Sequence, residues 1–219
     1  QSRSRRNAHF SSISATSAPT YTETSCIKDS VRIDPCCGSG TIPIEAALIA
    51  KNIAPGLNRS FDFESWSFFD GSALEEERQA AKAAIKKDFI PNIKGSDIDK
   101  EVLKLAKENA ERAGVADCIS FHMRPANTLS LDENYGVCIT NPPYGERMGD
   151  MEDVEQLYRD FGTLFSTNPT WSSYFLTSHE GFEKLFGKKA SKKRKLFNGN
   201  VKTDFYQYLG QRPPKGDRK

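Results

Sequence analysis

An α/β fold with a mostly parallel sheet and a C-terminal antiparallel hairpin is predicted from three observations. Short apolar strand-like runs alternate with helical ones from Val31 onward, and strands separated by helices form parallel sheets covered on both faces. The first run leads straight into a glycine turn and a helix, "VRIDPCCGSGTIPIEAALIAKN", a strand–turn–helix unit. Near the end, Asn198-Gly199 stands between strand-like flanks, the strongest short-range hairpin signal.

Taken in order, residues 1–30 are rich in Ser and Thr, carry Arg3, Arg5 and Arg6, and show little apolar periodicity. They are expected to be a flexible or incomplete N-terminal arm, with residues 31–219 as the folded domain. The same composition resembles an organellar transit peptide, with a plain linker as the alternative. After the strand at 31–35 and its helix at 41–52, the stretch "IAPGLNRSFDFESWSFFDG" is too irregular for a regular element and too apolar for a linker; it is expected to pack. A charged helix spans 72–87, a strand and turn follow in "PNIKGSDID", and a helix spans 100–113. Val102, Leu103, Ala106, Ala110 and Ala113 share one face of that helix, and Gly114 closes it. Residues 118–124, 135–140 and 171–178 read as strands, with a helix at 152–166 between the last two.

The bulk numbers are permissive. With 219 residues and 37% hydrophobic content the chain can bury a core. A net charge of +2 does not announce nucleic-acid binding, so a basic surface has to be local. No stretch approaches the roughly 20 apolar residues of a membrane span, so no membrane role is expected. Five cysteines form no CxxC pair and no His lies at metal spacing, which argues against a zinc site or disulfides. Reduced thiols, no metal and a cytoplasmic location are the expectation. A Cys36-Cys37 nucleophile would need an activating His, and none stands beside it in sequence.

The candidate site residues fall at strand ends. In "DPCCGSGT", Gly38 and Gly40 let backbone approach a ligand, the helix N-terminus at Thr41 offers free N–H groups, and Asp34 can hold a polar or cationic part. The turn fits a dinucleotide fingerprint poorly, because Pro43 stands where the third glycine belongs; an NAD-linked reading is set aside. Asp97 ends the next strand, where a carboxylate binds ribose hydroxyls, while Asp99 suits a helix cap. Asn127, past the third strand, suits an adenine edge or an ordinary turn.

At the fourth strand end, Asn141-Pro142-Pro143-Tyr144 forms a stiff corner facing the glycine turn. The Asn141 side-chain oxygen and the Pro142 carbonyl can both accept from one –NH2 group, and Tyr144 can stack on a flat base. An exocyclic amine is a poor nucleophile, and two acceptors on its protons aim it at an electrophile such as a sulfonium methyl. Lys188, Lys189, Lys192, Lys193, Arg194 and Lys195 give six cations in eight residues. A charged sheet edge explains part of that density, and contact with RNA phosphates the rest.

Together, "DPCCGSGT", "IEAALIAKNIAPGLNR", "NPPYGER" and "KKRKLFNGNVKTDFYQY" resemble the class I S-adenosylmethionine-dependent methyltransferases that modify the 2-amino group of a guanine in large-subunit ribosomal RNA. The resemblance implies a Rossmann-like seven-stranded sheet and methyl transfer from S-adenosyl-L-methionine to ribosomal RNA. It assigns Asp34, Gly38 and Gly40 to the methionine part of the cofactor, Asp97 to its ribose, and Ile98 and Asn127 to its adenine, with Thr41 also on the cofactor side. Asn141 to Tyr144 would face the target base. The family's upstream THUMP-type RNA-binding region has no match in residues 1–30, and Asn127 stands where such proteins more often carry Asp. The alternatives are methylation of an adenine 6-amino group in DNA or RNA, and a catalytically silent RNA-binding or ribosome-assembly factor on the same fold.

Overall fold

A computed structural model describes residues 30–144, 150–198 and 200–214 of the chain. The elements run β1 (Arg32–Asp34), α1 (Thr41–Ala50), α2 (Ser72–Ala83), β2 (Ile93–Asp97), α3 (Lys100–Arg112), β3 (Ile119–Met123) and β4 (Val137–Thr140). Then follow α4 (Asp150–Thr167), β5 (Ser172–Thr177), α5 (Phe182–Phe186), β6 (Lys192–Asn198) and β7 (Val201–Tyr208). The seven strands form one sheet in the order β3-β2-β1-β4-β5-β7-β6. The first five are parallel, and β7 and β6 are antiparallel to their neighbours. That is the mixed α/β sheet the sequence predicts. Its order reverses direction between β1 and β4, and such a switch opens a crevice at the carboxyl ends of the strands.

Each face of the sheet is closed by helices whose small or aromatic residues fit it. On one face Ala46 and Ala47 of α1 and Ala110 of α3 pack with Ile93, Val115 and Ile119. Alanines let the helices sit close to the sheet. On the other face Val154, Tyr158, Phe161 and Phe165 of α4 and Phe182 and Phe186 of α5 pack against Cys138, Phe175, Tyr206 and Tyr208. Rings meet there edge-on and tilted at centroid distances such as 4.9 Å for Tyr158–Phe182 and 5.3 Å for Phe161–Phe175, the arrangement aromatic quadrupoles favour.

Two expectations need amending, and one short element was not foreseen. The helix predicted at 72–87 ends at Ala83, because the chain then turns to bond with the end of α1: Lys86 N–H donates to the Lys51 carbonyl at 2.9 Å, and Asn52 Nδ2 to the Ala84 carbonyl at 3.1 Å. The short α5 carries no sequence signal beyond Phe182 and Phe186, which anchor it in the core. The aromatic stretch at 53–71 packs chiefly on itself: Phe63 meets Phe61 at 5.6 Å and Phe69 at 5.0 Å, while Trp66 and Phe68 stay 53% and 81% exposed. Glu64 accepts a two-pronged bond from Arg78 of α2 and another from Phe61 N–H, which ties the stretch to that helix. The antiparallel pairing of β6 and β7, Lys192↔Gln207 through Asn198↔Val201, is the predicted hairpin. Its Gly199, and residues 1–29 of the arm predicted at 1–30, lie outside the described residues.

Candidate active site

The glycine turn begins where β1 ends. Gly38 and Gly40 have φ of +51° and +84°, in the left-handed region that favours glycine. A Cβ on Gly40 would press on Ala106 Cβ at 3.1 Å and on Ile44 and Phe121 at 3.3 Å, so this glycine lets α1, α3 and β3 converge. A Cβ on Gly38 would meet nothing within 4 Å. Its demand is conformational, and the space before it is open.

Asp34 lies buried under the turn. Its Oδ1 accepts from Thr140 Oγ1 at 2.7 Å and from Cys36 N–H at 3.2 Å, while Oδ2 is buried with no hydrogen-bond partner. Burial raises its carboxyl to about 7, against the opposing pull of the Thr140 and Cys36 bonds. The same burial, with the Asp34 charge second, pushes the Cys36 and Cys37 thiols well up. Both cysteines therefore stay protonated, which is no state for a nucleophile.

Asp97 joins two loops: Oδ2 accepts from Gly38 N–H at 3.0 Å and Oδ1 from Asp99 N–H at 3.1 Å. Each carboxylate oxygen keeps a second lone pair for a ligand hydroxyl. Asp99 is the cap of α3, accepting from Glu101 and Val102 N–H at 2.8 and 3.3 Å, the role expected of it.

The Asn141–Tyr144 corner follows β4. Tyr144 hydroxyl donates to Asn141 Oδ1 at 2.5 Å, and Tyr158 hydroxyl bonds the Pro143 carbonyl at 2.8 Å. Pro142 is buried and Pro143 exposed.

One cleft of about 620 Å³ brings most of these groups together. Gly38, Asp97, Ile98, Asn127, Asn141 and Pro143 all line it, so the glycine turn and the diproline corner share one space. Ile98, 69% exposed, offers an apolar wall to a flat ring. Gly40 and Thr41 stand behind the cleft, at the start of α1, and Tyr144, though partly buried beside Asn141, does not line it. The basic run lies elsewhere. Lys192 to Lys195 are on β6, the sheet edge, and Lys188 and Lys189 precede it. Lys193 is engaged there, 3.0 Å from both Asp204 Oδ2 and Tyr206 hydroxyl and 4.6 Å above the Tyr206 ring.

The sequence did not point to the far wall. Asp153, Gln156, Leu157 and Asp160 of α4 line the cleft at helical spacing. A mixed polar face of this kind reads as solvated, and only the packing of α4 across the sheet turns it inward. With Asp97, the described lining carries three carboxylates and no Lys, Arg or His. Such a cleft favours a cationic ligand and opposes a pyrophosphate. Among the described residues no group of three or more His, Cys, Asp or Glu could hold a metal ion.

Residues 3–207 match the family described as RMKL-like, methyltransferase domain. The chain belongs to this RMKL-like methyltransferase family. It is 47% identical over 182 residues to the putative RNA methyltransferase YpsC of Bacillus subtilis, covering 83% of this chain and 47% of that protein. It is 42% identical over 185 residues to the ribosomal RNA large subunit methyltransferase K/L of Shewanella baltica, covering 82% of this chain and 26% of that protein. Among solved structures, SMU.472, a putative methyltransferase complexed with SAH, superposes with a TM-score of 0.81 at 41% identity, over 86% of this chain and 50% of that one. The chain thus spans about half or less of the length of these relatives.

Proposed function

We propose that this chain is a methyltransferase domain that carries a methyl group from S-adenosyl-L-methionine to the exocyclic 2-amino group of a guanine in large-subunit ribosomal RNA, in the cytoplasm. The observation that carries the reading is the one acidic cleft lined by both the glycine turn, through Gly38, and the diproline corner, through Asn141 and Pro143. One part suits a cationic cofactor, the other an amine.

The residues fit that cofactor. S-adenosylmethionine supplies, when bound, a methyl group activated on a positive sulfonium, and SAH is what remains after the methyl has left. The unpartnered Oδ2 of Asp34 answers a buried ammonium, Asp97 has lone pairs for two ribose hydroxyls, and Ile98 and Asn127 flank the adenine. Gly38 leaves the room in which they meet.

On the substrate side, Asn141 Oδ1 and the Pro142 carbonyl accept hydrogen bonds from the two amine protons. Asn141 Oδ1 already holds one bond from Tyr144 hydroxyl and has a second lone pair for the amine. Both acceptors are neutral, so no proton is removed before attack; they raise electron density on nitrogen and hold it in line. The proton is lost afterwards, from the methylated and more acidic nitrogen to solvent water. A base in a duplex cannot reach such a cleft, so the target is flipped or unpaired, which costs a few kcal/mol.

The test is transfer of labelled methyl from S-adenosylmethionine to ribosomal RNA lacking its own modifications, followed by nucleoside digestion. The expected product is 2-methylguanosine at one position of the large-subunit RNA. A 6-methyladenosine product would replace the guanine assignment, and a folded chain that binds no S-adenosylmethionine by calorimetry would leave only a silent RNA-binding factor.

A further inference from the structure

The Asn141–Tyr144 corner has few torsions left to set. Ring closure fixes φ at Pro142 and Pro143, so the ψ angles decide where their carbonyls point and where the chain delivers Tyr144. One of these is held from outside the loop. Tyr158, on α4 and wholly buried, has its hydroxyl 2.8 Å from the Pro143 carbonyl and 2.9 Å from Thr177 Oγ1 at the end of β5.

The direction of every bond in this chain is forced. A carbonyl only accepts, so the single Tyr158 proton goes to Pro143. Thr177 must then donate its proton to the Tyr158 oxygen, and Thr177 Oγ1 in turn accepts from the backbone N–H of His179 at 3.1 Å. Three bonds therefore run one way, from the end of β5 into the loop, and bonds aligned in this manner strengthen each other. The ring itself is held by Phe182 at 4.9 Å and His179 at 5.6 Å, both edge-on. A phenylalanine would pack there equally well; only the hydroxyl reaches the loop.

We propose that Tyr158 is a positioning residue for methyl transfer: its hydroxyl, oriented by Thr177, fixes the Pro143 carbonyl and so the place of Tyr144, whose hydroxyl holds the Oδ1 of Asn141. The inference rests on reading Asn141–Tyr144 as the base-facing loop. Tyr158 touches no reacting atom. By occupying the Pro143 carbonyl it also leaves Asn141 Oδ1 and the Pro142 carbonyl as the two acceptors for the amine.

The experiment uses the full chain with Tyr158→Phe, Thr177→Val and the double variant. Methyl transfer to unmodified ribosomal RNA, S-adenosylmethionine affinity and hydrogen exchange at the Tyr144 amide are measured on each. Tyr158→Phe is expected to lower kcat about tenfold or more with cofactor Kd changed less than about twofold, and to speed Tyr144 exchange about tenfold while exchange in β4 and β5 is unchanged. Thr177→Val moves kcat the same way, and the double variant loses no more than Tyr158→Phe alone, because both act through one bond. Wild-type kcat and Tyr144 exchange in Tyr158→Phe would overturn the proposal, as would faster exchange spread equally through β4 and β5, the mark of a merely structural tyrosine. Exchange needs no turnover, so it separates this inference from the functional reading: Asn141→Ala with normal kcat would sink the latter while the Tyr144 effect in Tyr158→Phe remained.

Discussion

A single carboxyl shows how much chemistry one buried side chain carries here. Asp34 is held near 7 by burial, so in the folded chain it keeps a proton that the unfolded chain gives up at its ordinary value of 3.8. Between those values the native state binds more protons, and stability must fall as pH rises, by at most about 1.4 kcal/mol per pH unit. Denaturation at pH 5 and pH 8 tests this: Asp34→Asn should flatten the decline. A cation beside the unpartnered Oδ2 favours the ionised form, so S-adenosylmethionine should bind more tightly as pH rises through 7, and Asp34→Asn should weaken it and remove that dependence. Asn141 predicts the opposite division of effects. Asn141→Ala should cut kcat by about a hundredfold or more while cofactor affinity stays within about threefold, because the partner proposed for it is the amine; equal losses in single-turnover rate and in calorimetric Kd would mean Asn141 serves the cofactor. The two acids at 97 and 99 were separable from sequence because one ends a strand and the other precedes a helix. The engagement of Asn141 by Tyr144 was not, since it depends on the loop's turn in space.

At the level of elements, β6 divides the basic run that the sequence presents as uniform. Pairing with β7 sends alternate side chains to opposite faces, and one of them, Lys193, is drawn into Asp204 and Tyr206. Lys192, Arg194 and Lys195 remain exposed along the sheet edge. Because β7 is antiparallel to β5 and β6 to β7, β6 runs toward the same edge as the cleft; Lys195 lies nearer that end and Lys188 at the other. The edge is three strand spacings from β4, about 14 Å at the usual separation, a distance an RNA strand easily bridges from a flipped base. Alanine at Lys192, Arg194 and Lys195 should therefore weaken RNA binding and reduce the salt slope by about one for each phosphate that is no longer neutralised. Lys193→Ala should leave that slope nearly unchanged and cost about 1 kcal/mol or less of stability, since the Lys193 side chain is more than a third exposed. Filter binding across a salt series separates the two groups. Alternation of elements, the glycine turn and the hairpin were legible because each rests on local chain chemistry. The acidic wall of α4 was not, because Asp153 and Asp160 become cleft residues only when the sheet places α4 across the ends of β1 and β4.

Over the whole molecule, the net charge of +2 conceals an acidic cleft and a basic edge. No helix of the described residues is long and apolar enough to cross a membrane. The sheet also separates its two ends. The cleft opens at the carboxyl ends of β1, β2 and β4, whereas α1 starts at that edge and runs away from it, so the aromatic stretch after α1 leaves from the opposite edge. None of residues 53–90 lines the cleft, and the exposed Trp66 and Phe68 lie in sequence between Asp62, Glu64 and Asp70. An acidic neighbourhood repels phosphate, so these rings are poor platforms for RNA even though aromatic stacking on bases is favourable in itself. Trp66→Ser together with Phe68→Ser should accordingly leave cofactor Kd, RNA affinity and kcat within about twofold of the parent chain. Both rings are largely in water already, so the melting temperature should move little. A tenfold loss of RNA affinity with an unchanged melt would place the nucleic acid on this end of the sheet and would contradict the assignment of the basic edge as its path.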